Sequence, residues 1–126
     1  MSLSEVRYER RVDIHTNEDR TISTLLKGDI PGFSAEQVRI VQLQREASLG
    51  NHWREYVEVY GVVGKAKIVL EEVTTKKRSE YNLLTGDRLF VPAEVALRID
   101  AKKETVIIAC GAETDREGKT HKYIVA

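Results

Sequence analysis

Short β-prone segments separated by turn residues dominate this chain, and they restrict its fold more than any other feature. About nine such segments follow one another. They are Glu5–Asp13, Thr21–Leu26, Gln37–Gln44, Tyr56–Val63, Lys65–Val73, Ser79–Leu84, Arg88–Pro92, Val95–Asp100 and Thr105–Ala112, with Tyr123–Val125 as a last strand. Apart from a helical turn at Ser34–Gln37, no segment has helical periodicity, which argues against parallel β-α-β units. We therefore predict one all-β domain spanning residues 1–126, a barrel of two antiparallel sheets.

Charge and composition exclude several classes of partner. The 20 basic and 20 acidic residues give a formal net charge of zero, which argues against nucleic acid or anionic lipid as a ligand. No segment approaches the roughly 20 apolar residues of a membrane span. Cys110, the single cysteine, lies in an apolar run and is predicted to be a buried, inert thiol. We expect a cytoplasmic protein that binds neither nucleic acid nor membranes.

Two segments resemble the two motifs of the cupin superfamily. Gly50–Arg54, followed by Glu58 and Gly64, is similar to the first motif, in which a glycine precedes a His-x-His pair and an acidic residue follows. Gly86–Pro92 resembles the second motif, in which a glycine leads a strand to a proline and then a histidine. The resemblance implies a double-stranded β-helix, the cupin-type jelly-roll barrel.

Within that superfamily, Leu49–Trp53 looks most like the branch that acts on nucleotide-linked sugars. Asp19–Ile22 also resembles a segment near the N-terminus of that branch. The branch contains keto-sugar isomerases and deoxysugar epimerases that serve polysaccharide biosynthesis. The resemblance therefore implies a small-molecule ligand, a nucleotide-linked sugar, and a homodimer.

The residues that would hold a cupin metal are mostly replaced. Arg54 stands where the motif has its second histidine, and Leu97 falls at or near the place of the histidine after Pro92. A protonated guanidinium does not ligate metals, and His52 with Glu58 alone is a poor donor set for zinc, iron or manganese. We predict no bound transition metal and no other cofactor.

His52 is the best candidate for proton chemistry, because an imidazole titrates near neutral pH. Arg54 and Arg98 are candidates for binding charged groups of a substrate, and Trp53 is a candidate for stacking on a sugar ring or base. Each also has a structural interpretation: His52 as a loop residue, Arg54 as a surface arginine, and Trp53 as a packing residue at the barrel mouth.

The orientation of the strand after Arg54 is open. Tyr56, Glu58 and Tyr60 share one face, and Val57, Val59 and Val63 share the other. With the tyrosines inward, the barrel gains a polar, aromatic pocket in which Tyr56 or Tyr60 serves as an auxiliary acid. The simpler arrangement points the valines inward and the tyrosines to the outer sheet.

Two functions remain open from these residues. The first is a metal-free isomerase or epimerase of nucleotide-linked keto sugars, with His52 as general base and Tyr60 as acid. The second is a non-catalytic module that binds a sugar or nucleotide-linked sugar. The missing second imidazole favours the binding module. The enzyme stays possible because the reaction of these isomerases does not depend on a metal, so the loss of metal ligands does not exclude it. A purely structural dimerisation domain is a more distant alternative.

Overall fold

The computed structural model describes residues 2–126, which form strands and connecting turns after a short 3-10 helix at Leu3–Glu5. The strands are β1 (Arg7–Glu9), β2 (Ile14–Thr16), β3 (Thr21–Ser23), β4 (Gln37–Gln42), β5 (Ala47–Arg54), β6 (Glu58–Val63), β7 (Lys65–Glu72), β8 (Arg78–Leu84), β9 (Arg88–Val91), β10 (Val95–Ala101), β11 (Val106–Gly111) and β12 (Thr120–Lys122). In this part of the chain, no helix has the length and hydropathy needed to cross a membrane.

The strands form two five-stranded antiparallel sheets and one small hairpin. The first sheet has the order β1-β9-β6-β11-β4, and the second has the order β12-β5-β10-β7-β8. β2 and β3 pair only with each other. Neighbouring strands in a sheet are often distant in sequence, as in a jelly roll. The predicted all-β fold of two antiparallel sheets is confirmed.

The hydrophobic core lies between the two sheets, where every second residue of a strand points inward. In β10, Val95, Leu97 and Ile99 belong to this core, whereas Ala96 belongs to a separate cluster on the outer face. Leu89 of the first sheet packs into the same core and is fully buried.

The loop between β3 and β4 covers part of the outer face of the first sheet, whereas Val38 and Ile40 of β4 are exposed on this face. Ile30 of this loop packs with Val59 and Cys110 in a second apolar cluster. Arg88 anchors the loop, since its guanidinium donates to Asp29 at 2.9 and 3.0 Å and to Glu9 at 2.9 Å. Cys110 is buried as predicted, and burial raises the pKa of its thiol.

The N-terminal strand is shorter than predicted. Arg11 and Asp13 have φ values of 51° and 42°, so the chain turns between β1 and β2 instead of continuing through Glu5–Asp13. Asp87 holds this turn by accepting the backbone N–H of Arg11 at 2.8 Å. The predicted helical turn at Ser34–Gln37 is not found, because Gln37 already begins β4.

β5 and β12 were not predicted as strands. β12 pairs with β5 and precedes the segment Tyr123–Val125 that was predicted as the last strand. Asn51 fixes this segment, since its carbonyl accepts the N–H of Tyr123 at 2.9 Å and its side-chain oxygen accepts the N–H of Val125 at 3.0 Å. The C-terminal segment therefore covers the outer face of the second sheet, where Val125 is buried against Val69.

Candidate functional site

A β-bulge in β5 determines which way the first-motif side chains point. Leu97 of β10 pairs with His52, but Arg98 pairs with Gly50, so Asn51 is an extra, unpaired residue. Gly50 and Asn51 both have positive φ, 87° and 55°. A Cβ on Gly50 would lie 2.9 Å from the Leu97 carbonyl oxygen, so this position requires glycine.

The bulge reverses the alternation of side chains along β5. Leu49 packs against the core before the bulge, and His52 lies opposite the inward-facing Leu97 after it. Arg54, two residues further, also points inward. A regular strand would turn both side chains outward.

The tyrosine face of β6 points into the barrel. Tyr60 is 2% exposed and belongs to the central core, whereas Val59 packs under the β3–β4 loop on the outer face. The simpler arrangement, with the valines inward, is therefore wrong. Burial on both faces explains why: the loop covers the valine side, so apolar residues on that side do not mark the interior.

Arg54 is the centre of a hydrogen-bonded cluster inside the barrel. Its Nε–H donates to Nε2 of His52 at 3.2 Å and lies 3.0 Å from Oε1 of Glu58. One terminal N–H donates to the Tyr56 hydroxyl at 2.9 Å. The Tyr60 hydroxyl donates to Glu58 at 2.5 Å. The side chains of Arg54 and Glu58 are only 10% and 6% exposed, so each is the main compensation for the buried charge of the other.

The rim of this cluster carries a second set of polar groups from β4, β12 and the segment that precedes β12. Arg39 of β4 lies 3.1 Å from Asp115, whose carboxylate also lies 3.4 Å from Arg54. Thr120 of β12 donates to Asp115 at 2.7 Å and accepts from Arg54 at 3.1 Å. The Asp115 backbone N–H donates to Oε1 of Gln37 at 2.9 Å. We call Arg39, Asp115 and Thr120 the rim residues.

His52 is neutral at physiological pH. Burial, together with the charge of Arg54, lowers its pKa from 6.5 to about 4. Because Nε2 accepts a hydrogen bond from Arg54, the network assigns the ring proton to Nδ1. The lone pair of the imidazole is therefore engaged by the guanidinium.

Glu58 and Tyr60 share one buried hydrogen bond, and burial acts on both groups. It raises the pKa of Glu58, which Arg54 and the Tyr60 hydroxyl lower in turn. Burial and the neighbouring Glu58 raise the pKa of Tyr60 well above 10. Tyr60 therefore keeps its proton and directs it to Glu58.

The residues present do not fit a cupin metal centre. His52 is opposite Leu97, where the second motif would supply another imidazole, and Arg54 fills the remaining inward position of β5. Glu58 already accepts from Tyr60 and pairs with Arg54. Within residues 2–126, no group of three or more His, Cys, Asp or Glu side chains is arranged to hold a metal.

Two of the predicted site residues lie elsewhere. Trp53 stacks on His121, with ring centroids 4.0 Å apart, and packs in the outer cluster that contains Val125. Arg98 donates to Asp100 and to the Val125 carbonyl, the latter at 2.7 Å. The expectation that both residues join His52 in one pocket is corrected, because alternation along β5 and β10 turns them to the opposite face. Of the predicted site residues, the structure brings together His52, Arg54, Tyr56, Glu58 and Tyr60.

The rim residues were missed in the sequence. Arg39 lies on a strand with no motif, and Asp115 follows 76 residues later in a polar segment. The available signal for Arg39 was alternation along β4, which places it on the same face as Gln37 and Val41. In the sheet, these residues pair with Gly111, Ala109 and Ile107 of β11. Asp115 had no such signal.

Comparison with known proteins identifies structural neighbours only. No protein-family model and no curated sequence matches this chain. The 3,4-ketoisomerase QdtA from Thermoanaerobacterium thermosaccharolyticum, solved as a mutant with TDP-4-keto-6-deoxyglucose, superposes with a TM-score of 0.79 at 17% identity, over 94% of this chain and 88% of that one. A dTDP sugar isomerase from Desulfovibrio desulfuricans G20 gives 0.81 at 15% identity, over 95% and 84%.

An epimerase extends the comparison to a second reaction. The rmlC epimerase of Mycobacterium tuberculosis superposes with a TM-score of 0.79 at 11% identity, over 97% of this chain and 70% of that one. Identities this low establish the fold and leave the reaction open. This chain has the cupin-type, RmlC-like jelly-roll fold that these nucleotide-sugar isomerases and epimerases share.

Proposed function

We propose that this protein binds a nucleotide-linked sugar at the cluster around Arg54 without isomerising it. The observation that carries this proposal is the hydrogen bond from Arg54 Nε–H to His52 Nε2. A general base needs a free lone pair within reach of the proton that it removes. Here the lone pair is directed at a guanidinium instead.

The basicity of His52 supports the same conclusion. General bases work best with a pKa near the operating pH, and the His52 pKa is about 4. Arg54, which replaces a second imidazole, contributes to that low pKa through its charge. The substitution thus removes one base and weakens the other.

A polar, charged ligand is supported by the composition of the site. Two arginines, Arg39 and Arg54, converge on Asp115 at the edge of the polar interior cluster. Guanidinium groups bind phosphoryl oxygens through paired hydrogen bonds. Tyr56 and Thr120 add hydroxyls of the kind that bind sugars. Structural neighbours were solved with TDP and with a TDP-linked keto sugar.

Isomerisation is the second candidate, and the inward direction of His52 favours it. For isomerisation, the bound keto sugar would have to draw Arg54 away from His52 Nε2, so that the imidazole is free to act as the base. In D2O, proton transfer would then introduce deuterium next to the keto carbon, which binding alone does not do. Homodimer formation, a cytoplasmic location and a role in polysaccharide biosynthesis remain predictions.

Calorimetric titration with TDP-4-keto-6-deoxyglucose tests the binding site. Arg54→Lys keeps the positive charge but loses the planar set of N–H donors, so we expect it to weaken binding by about tenfold or more. Arg98→Lys makes the same change on the outer face, and we expect affinity within about twofold of wild type. Absence of binding to wild type, or equal loss in both variants, would contradict the proposed site.

A further inference from the structure

The rim residues hold a carboxylate where two arginines converge at the barrel mouth. Oδ2 of Asp115 lies 3.1 Å from Arg39 and 3.4 Å from Arg54, and Oδ1 accepts from Thr120 at 2.7 Å. These donors come from three strands, β4, β5 and β12, and they meet on one anionic group. Both carboxylate oxygens are therefore bound, as in a built anion site.

The electrostatic environment of this position favours an anion. Burial raises the pKa of Asp115, but the Thr120 hydrogen bond and the charges of Arg54 and Arg39 together hold it below its ordinary value. Arg39 also acts on His52 and on Glu58, lowering the pKa of each, so its charge reaches into the interior cluster.

Asp115 itself is attached to an irregular segment. Residues 112–119 connect β11 to β12 without regular structure, and the Asp115 side chain is 20% exposed. Arg39 is 45% exposed, so its guanidinium is open to solvent on one side. By contrast, Arg54 is held within the barrel by Glu58. The carboxylate therefore sits on an irregular segment, whereas the guanidinium of Arg54 is fixed by the barrel interior.

We propose that Arg39, Arg54 and Thr120 form a subsite for a phosphoryl or diphosphate group, and that the Asp115 carboxylate occupies this subsite until a ligand displaces it. The subsite deepens the proposed function, because it assigns the anionic part of a nucleotide-linked ligand to named donors. It rests on that function for the identity of the ligand but not for the binding of the anion.

Inorganic pyrophosphate is the probe, titrated calorimetrically into wild type, Asp115→Asn and Glu113→Gln. Asp115→Asn removes the competing charge, and we expect about tenfold tighter binding of pyrophosphate. Glu113→Gln is the matched control, because it removes one negative charge from the same segment, where Glu113 pairs with Lys119 at 3.2 Å and not with the arginines. We expect it to bind within about twofold of wild type.

A second substitution tests whether Arg39 is responsible for the tighter binding of pyrophosphate in Asp115→Asn. Adding Arg39→Met to Asp115→Asn is expected to return affinity to the wild-type value or below, while thermal unfolding checks that each variant is folded. Equal pyrophosphate affinity in Asp115→Asn and Glu113→Gln would overturn the subsite, as would a gain that Arg39→Met leaves intact.

The same variants separate this subsite from the proposed function. Tighter pyrophosphate binding in Asp115→Asn, with no binding of TDP-4-keto-6-deoxyglucose to any variant, would support the subsite and reject the nucleotide-sugar proposal. Binding of the nucleotide-linked sugar that is equal in wild type, Asp115→Asn and Glu113→Gln would reject the subsite and leave the nucleotide-sugar proposal standing.

Discussion

Arg54 donates its Nε–H to Nε2 of His52 across 3.2 Å, and both side chains point into the barrel. The two residues are two apart in β5, so one bulge at Asn51 sets the direction of both. Arg54 is also within 3.0 Å of Glu58 on β6, which ties the two sheets together through the site. The arrangement of polar side chains in the barrel interior therefore depends on the bulge at Asn51 and on the guanidinium of Arg54.

Gly50→Ala tests the role of the bulge. Gly50 has φ of 87°, and a Cβ there would lie 2.9 Å from the Leu97 carbonyl oxygen. Gly118→Ala is the matched control, since Gly118 has φ of 85° with nothing within 4 Å of a Cβ. Both variants pay the cost of a left-handed alanine, about 1–2 kcal/mol. We expect Gly50→Ala to lower the free energy of unfolding by at least about 1 kcal/mol more than Gly118→Ala. Urea denaturation measures both, and equal losses would argue against the close approach to Leu97.

The low pKa of His52 predicts a pH-dependent stability. The folded protein disfavours the imidazolium, so between pH 6.5 and about 4 the unfolded chain binds more protons at this residue. The free energy of unfolding is therefore unaffected by titration of His52 above pH 6.5, and it falls as the pH falls from 6.5 toward 4. A full shift of this size corresponds to about 3 kcal/mol, and partial exposure to solvent reduces our expectation to about 1–2 kcal/mol.

Urea denaturation of wild type and His52→Gln across this pH range isolates the effect. Glutamine does not titrate, so the difference in unfolding free energy between the two proteins is expected to change with pH in favour of the variant as the pH falls. Parallel pH profiles would show that His52 is not held in the neutral form.

Arg54→Met tests the pairing with Glu58. Without the guanidinium, Glu58 must either keep an uncompensated charge or take up a proton, in a position where its side chain is 6% exposed and burial raises its pKa. We expect a loss of about 3 kcal/mol in the free energy of unfolding, and recovery of most of it when Glu58→Gln is added. A double-mutant cycle measured in urea gives the coupling. If the double variant is as unstable as Arg54→Met, the uncompensated charge is not the cause.

Trp53→Leu tests the separation of the outer face from the interior site. Trp53 stacks on His121 and packs beneath the C-terminal segment, so we expect a loss of about 1–2 kcal/mol in stability. Since the ring points away from His52, we also expect ligand affinity within about twofold of wild type by calorimetry. A larger loss of affinity in a folded variant would return Trp53 to the binding site.

The fold was predictable from turn spacing because each turn carries its own local signal. Gly64 and the Thr85–Asp87 turn mark strand ends in the sequence and in the structure alike. β5 was missed because Gly50 and Asn51 interrupt its alternation. The irregularity that hides this strand is also what points His52 and Arg54 inward, so the motif was easier to recognise than the strand that carries it.

The site was predictable only in part, for two physical reasons. The β3–β4 loop buries Val59 on the outer face of β6, while the tyrosine face is buried inside the barrel. Apolar residues therefore do not identify the inward face of this strand. The rim depends on Asp115, which reaches Arg39 through the closure of the barrel. Contacts formed by tertiary closure leave no periodic signal in a single sequence.

The most direct test of the central claim is proton NMR of TDP-4-keto-6-deoxyglucose in D2O, with the protein at a concentration that saturates binding by calorimetry. The expected result is saturable binding of the ligand with no deuterium uptake next to the keto carbon beyond that of a protein-free sample, because the lone pair of His52 is engaged by Arg54. Protein-dependent deuterium uptake that His52→Gln abolishes would contradict the claim and establish proton transfer by His52.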